Sequence, residues 1–289
     1  MSMKQETKQD LYKQVTEKLI VQMEAGVCVW QQPWVSSNRF QPMNGVTERL
    51  YKGWNRMYLG LLQYELGTED PRWFTYKSAA GVGGQVRKGE KSTTIVYNKP
   101  ITDKADPDKK FWLLAFHKVF HASQCDGLPV LEDVVLPEQE RDCDFEGVHK
   151  LEGWIGENLK GYKQDGDRAC YYPSRDTIEM PPPESFHKAS WWLQTLAHEV
   201  IHSTKGEGRL NRRDVTEGKY AKEELVAEFG AAMLCGMFGI DPDLEQSASY
   251  LKGWAGKCRE EPSLLVSAAN AAERACDYVY NGIYVEVCV

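Results

Sequence analysis

Apolar positions along this chain switch several times between a helical and an extended period. Leu11, Val15, Leu19, Ile20 and Met23 fall on one side of a predicted helix over 6–24, closed by Gly26. The stretch Thr93-Thr94-Ile95-Val96-Tyr97 is β-branched and alternating, and Phe111 to Phe120, beyond a polar turn at 103–110, is its expected hairpin partner. The helical period returns over 147–159, breaks for two short strands at 168–173 and 176–181 joined at Ser174-Arg175, and resumes after Pro181-Pro182-Pro183. In that next helix Ser190 is the expected N-cap, and Trp191, Leu193, Leu196, Ala197, Val200 and Ile201 form a stripe with no breaker before Gly206. Another helix starts at Tyr220 and runs through Ala231, Met233, Leu234 and Met237. Two more fill 247–280, the first carrying Tyr250, Leu251 and Trp254, the second Leu264, Leu265, Ala268, Ala272, Ala275 and Tyr278. No internal repeat is visible.

The length of 289 residues suffices for two cores, and 42% hydrophobic with 11% aromatic residues excludes a disordered chain. With a polar start and no apolar run near 18 residues, the expectation is a protein without membrane span or signal peptide, acting in the cytoplasm. The eight cysteines show no C-x-x-C spacing, so a zinc ribbon is not expected and reduced thiols are. Charge is uneven: residues 1–125 hold 18 Lys and Arg against 12 Asp and Glu, while the remainder holds 17 against 30. Only the first part is suited to meet a polyanion. The Pro- and acid-rich stretch 126–145 between the two parts reads as a linker.

The candidate chemistry of the second part is His198-Glu199-Val200-Ile201-His202, an H-E-x-x-H string on a predicted helix. Positions four apart share a helix face, so both imidazoles can reach one metal while Glu199 serves as general base for a bound water. A third histidine at the metzincin spacing is excluded, because Lys205 and Gly208 occupy the places where glycine and histidine would stand. The alternative is a glutamate from a second helix, and Glu224 is the expected ligand with Glu223 as fallback; Glu228, four residues on, is expected to hold a ligating histidine from outside. Tyr220 and Tyr250 are candidate oxyanion donors. The metal expected is zinc, with manganese or cobalt also suited to two imidazoles and a carboxylate.

In the first part aromatics alternate with cations and amides: Trp30 and Trp34, then Tyr51-Lys52-Gly53-Trp54-Asn55-Arg56, then Trp73, Lys77, Arg87, Lys88 and Lys91. Flat rings for unpaired bases and cations for phosphates are what single-stranded DNA requires. The glycine-rich segment 81–89 lacks the Walker pattern, so no nucleotide cofactor is expected.

These segments, with 171–181, 198–212, 220–229 and 250–254, resemble the ArdC-type antirestriction proteins of conjugative plasmids and phages. The resemblance implies an α+β chain of two domains: a single-stranded-DNA-binding domain over 1–125, and, after the linker, a zincin-like metallopeptidase domain over 146–289. It also implies protection of incoming DNA against host restriction, with a protein substrate in the restriction system as a further partner. The alternative reading is a DNA-coating protein whose metal is structural. Two positions depart from the family pattern: Glu48 stands where it usually has glycine, and Lys205 displaces a glycine to Gly206.

Overall fold

The computed structural model describes residues 8–25, 41–68, 70–102, 110–131, 143–212, 220–238 and 248–284. Helices and sheets are mixed throughout, and the chain divides into two compact units, one formed by 38–136 and the other by 1–37 with 137–289.

In the unit 38–136 the elements are β1 (Met43–Asn44), α2 (Gly53–Leu66), β2 (Arg72–Phe74), α3 (Tyr76–Gly81), β3 (Gln85–Val86), β4 (Thr93–Thr102), β5 (Lys110–His121) and β6 (Cys125–Asp126). The main sheet has the order β1-β2-β5-β4, with β4 and β5 forming the long hairpin expected from their alternation. Successive strand residues face opposite ways, so neighbours Trp73 and Phe74 serve two separate cores. Trp73 joins Leu59, Ile95 and Val119 on the face covered by α2; Phe74 joins Ala79, Val86 and Ala122 on the face covered by α3. Thr75 starts α3 through a capping box in which its side chain accepts from the Ser78 N–H and the Ser78 hydroxyl accepts from the Thr75 N–H. Glu48 adopts a φ of 57° in the turn before α2, which is the left-handed region that favours glycine.

The other unit holds α1 (Lys8–Glu24), α4 (Cys143–Asn158), β7 (Gly161–Lys163), β8 (Cys170–Tyr172), β9 (Thr177–Glu179), α5 (Ala189–Ser203), α6 (Tyr220–Met237), α7 (Ala248–Glu260) and α8 (Ser263–Tyr284). Its small sheet runs β7-β9-β8, leaving β8 at an edge. Strand β7 was not predicted, because three residues carry no legible period.

The first helix packs on α7 and α8, burying Val15, Leu19, Ile20 and Met23, and Arg259 of α7 pairs with Glu17 at 3.0 Å and Glu24 at 2.8 Å. By compactness, residues 1–37 group with 137–289, so both ends of the chain share a unit. Of the predicted linker, Asp126 pairs in β6 and 143–145 belong to α4, while 132–142 lie outside the described residues.

Candidate metal centre

Helix α5 begins two residues ahead of the sequence expectation: Lys188 occupies the N-cap without a side-chain bond, and Ser190 lies inside the first turn. Its buried stripe includes Leu193, Leu196, Ala197, Val200 and Ile201. Helix α6 crosses closely, because Gly230 lies against Ile201 and a Cβ there would come within 2.8 Å of that side chain. The close crossing brings the second helix's carboxylates to the histidines of the first.

Glu224 sits between the two imidazoles, with Oε2 3.7 Å from His198 Nε2 and Oε1 3.6 Å from His202 Nε2. A four-coordinate ion with bonds of about 2.0–2.1 Å spaces its ligands about 3.4 Å apart. One donor atom from each of these three residues lies within 4.8 Å of the others, so the set fits a single ion. The opposite ring nitrogens face carboxylates too: His198 Nδ1 is 3.4 Å from Glu228 Oε1, and His202 Nδ1 is 3.3 Å from Glu223 Oε1. Such partners fix the tautomer that aims Nε2 at a metal.

Charge follows from this packing. Burial opposes a charge on His198, but bonds from Glu224 and Glu228 outweigh it and push the imidazole up to about 10. Burial likewise works to raise the Glu224 carboxyl, yet the two histidines hold it below the usual range; Glu223 is also lowered, against burial, by His202 and Arg212.

Two arginines absent from the sequence expectations brace the centre. Arg212 donates to Glu223 Oε1 at 2.9 Å, to Ile201 O at 3.1 Å and to Thr204 Oγ1, tying the end of α5 to the start of α6. Arg209 donates to Asp176 at 2.5 Å, to Tyr171 Oη at 3.0 Å, and to the carbonyls of Ser203 and Asn158, each at 2.8 Å. It thereby joins the loop after α5 to the β8–β9 turn and the end of α4. A Cβ at Gly206 would collide with the Arg209 guanidinium, so the displaced glycine makes room for that bridge. Glu199 is buried and accepts the Tyr171 N–H through Oε2 at 2.7 Å. The side chains of Tyr220 and Tyr250, the candidate oxyanion donors, lie outside the described residues.

The residues expected on DNA fare unevenly. Trp30 and Trp34 fall outside the described residues. Trp54 and Trp73 are each 1% exposed, so their expected role as stacking faces is corrected: both are core. Arg56 is buried as well, and Asn55 is spent on the sheet, its Oδ1 accepting the Val96 N–H at 2.9 Å and its Nδ2 donating to Val96 O at 2.6 Å. Tyr51 is half-buried against the α2-side core. Arg87 is exposed but engaged by Glu90 at 2.8 Å and Asp126 at 3.4 Å, whereas Lys52, Lys77, Lys88 and Lys91 all stand at the surface. Among the described residues no helix is long and apolar enough to cross a membrane.

Two histidines and a glutamate from adjoining helices, with a second glutamate beside them, define a zincin-like metallopeptidase domain, and the description of that family matches residues 149–271. The N-terminal domain of anti-restriction factor ArdC matches residues 9–126. The structure is similar to the crystal structures of the antirestriction ArdC protein from the R388 plasmid, metal-free and Mn(II)-bound, at 36% and 34% identity; each match has a TM-score of 0.76 and covers 96% of this chain and 100% of that one. This chain belongs to the ArdC antirestriction family. It is also 36% identical over 300 residues to a DNA primase TraC of Escherichia coli, covering 95% of this chain and 20% of that protein. A protein of Sinorhizobium fredii (strain NBRC 101917 / NGR234), y4eC, is 27% identical over 293 residues and is covered to 93%. The chain thus spans about a fifth to a quarter of the length of the TraC relatives it matches.

Proposed function

We propose that this protein protects incoming DNA from restriction in the cytoplasm of the receiving cell, binding single strands through the unit 38–136 and carrying a metal-dependent peptidase site between α5 and α6. The peptidase reading is carried by one observation: His198, His202 and Glu224 converge on one point with Glu199 beside them. A divalent ion held there, zinc or the manganese seen in the R388 relative, supplies a Lewis acid for a scissile carbonyl and for a water. His198, His202 and Glu224 would hold the ion, and Glu199, anchored through Oε2, would take a proton from a water there and pass it to the leaving amine. The substrate would be an extended polypeptide of the restriction system, taken beside edge strand β8, whose Tyr171 N–H already serves Glu199.

The DNA half is supported by the excess of Lys and Arg in residues 1–125 and by the surface lysines, and the primase names of the TraC relatives fit a chain that works on single strands.

A restriction-protection assay in cells tests the reading, comparing wild type with Glu199→Gln and quantifying bound metal in each. Loss of protection with metal retained supports a working peptidase. Protection retained along with metal supports the alternative, in which the ion is structural and DNA coating carries the function.

A further inference from the structure

With Trp54 and Trp73 locked in the core, any stacking of bases on the unit 38–136 must use other rings. Among the described residues the large exposed aromatics are Tyr76, 56% exposed, and Tyr97, 49% exposed. They belong to opposite faces of the sheet. Tyr97 contacts His117 edge-on at 5.8 Å, on the α2 face; Tyr76 contacts Phe120 edge-on at 6.4 Å, on the α3 face.

The α3 face carries more than one ring. Strand alternation puts Phe116, Lys118 and Phe120 in one row along β5, with the two phenylalanines roughly 13 Å apart and the lysine between them. Phe116 and Phe120 are half-buried and Lys118 is exposed, its Nζ donating to Thr94 Oγ1 of the paired strand at 2.8 Å. Tyr76 is fixed at the head of the row by the capping box of α3 and by Gln85 Nε2, which donates to its hydroxyl at 3.0 Å. Lys77, the next residue, is exposed. An aromatic row with a lysine set in it on a strand face complements a single-stranded polyanion, whose bases need flat partners and whose phosphates need cations. Among the described residues the opposite face offers Tyr97 on β4 and His117 on β5, whose row there continues to buried Val119 with no lysine.

Taking single-strand binding as proposed above, we infer that the strand lies across the α3 face of the sheet, stacking on Tyr76, Phe116 and Phe120 with Lys118 and Lys77 at its phosphates. The test is fluorescence anisotropy of a labelled oligothymidylate titrated with the full chain over a range of salt. Tyr76→Ala is expected to weaken binding roughly 5- to 150-fold, the effect of removing a stacking ring. Tyr76→Phe should restore it. Lys118→Ala should lower the slope of log affinity against log salt by about one contact's worth, while Tyr97→Ala changes neither quantity.

If Tyr76→Ala and Lys118→Ala bind like wild type while Tyr97→Ala does not, the strand runs over the other face and the inference is wrong, although single-strand binding stands. If wild type shows no salt-sensitive binding to the oligonucleotide, the DNA reading itself fails and this placement falls with it. Sedimentation showing a dimer that Tyr76→Ala dissolves would instead make the face a contact between copies of the chain. Tyr76 and Lys118 are exposed, so neither truncation threatens the fold.

Discussion

The backbone N–H of Tyr171, in the edge strand β8, donates to Glu199 Oε2 at 2.7 Å. This bond makes the placement of the general-base candidate depend on the strand as well as on its own helix. A hydrogen bond to a buried carboxylate is worth about 1.5–3 kcal/mol. The strand is in turn held through the Tyr171 hydroxyl, which donates to Asp176 Oδ1 at 2.8 Å and accepts from Arg209 at 3.0 Å.

Arg209 is therefore expected to matter beyond its own contacts. Its side chain is 8% exposed, and removing it strands Asp176 beside a buried tyrosine. Arg209→Ala should cost about 3–5 kcal/mol, the range for breaking a buried pair by removing one partner. Arg209→Lys should recover little, since an ammonium cannot serve four separated acceptors. Urea denaturation followed by intrinsic fluorescence checks both, and a midpoint unchanged in Arg209→Ala would show the bridge to be dispensable.

Glu223 and Glu224 are neighbours with different expected consequences. With Glu224 as the proposed ligand, Glu224→Gln should abolish high-affinity binding of Mn(II), whereas Glu223→Gln should weaken it about 10- to 100-fold by releasing His202 Nδ1. Electron paramagnetic resonance titration of free Mn(II) distinguishes them. Equal losses would mean that the two carboxylates share the ligand role.

His121 gives the unit 38–136 an acid limit. Its ring is fully buried, Nε2–H donates to Asp70 O at 2.6 Å, and Nδ1 accepts the Ser123 N–H at 3.0 Å. Burial lowers its pKa below 6.5, so the unfolded chain takes up a proton more readily than the folded one. Its contribution is fully present above 6.5 and is lost as the pH falls through the depressed value. Thermal melts from pH 7.5 to 5 should show a declining midpoint for the transition of this unit, and His121→Gln should flatten that decline.

Trp73 should behave as a core residue. Trp73→Ala is expected to destabilise by about 3–5 kcal/mol. Trp73→Phe, which keeps most of the buried ring, should leave oligonucleotide affinity near that of wild type. A large affinity loss in a stably folded Trp73→Phe would return this tryptophan to the binding surface.

Much of this arrangement was legible in the residues. The helical period and the H-E-x-x-H spacing determined that His198 and His202 share a face, and the β-branched alternation of 93–97 determined a strand and its partner, because both patterns are local consequences of backbone geometry. Sequence did not reveal which aromatics are buried. Trp54 and Tyr76 both stand near lysines, but the first is buried and the second exposed, and only tertiary packing separates them. The same holds for α1, whose apolar stripe is clear yet whose partner lies some 240 residues away at Arg259. The sequence favours Glu224 over Glu223 through its spacing to Glu228, but the physical reason for the difference lies in the packing. Both are near the start of α6, and it is the crossing of α5 at Gly230, with Arg212 drawing Glu223 aside, that leaves Glu224 between the imidazoles.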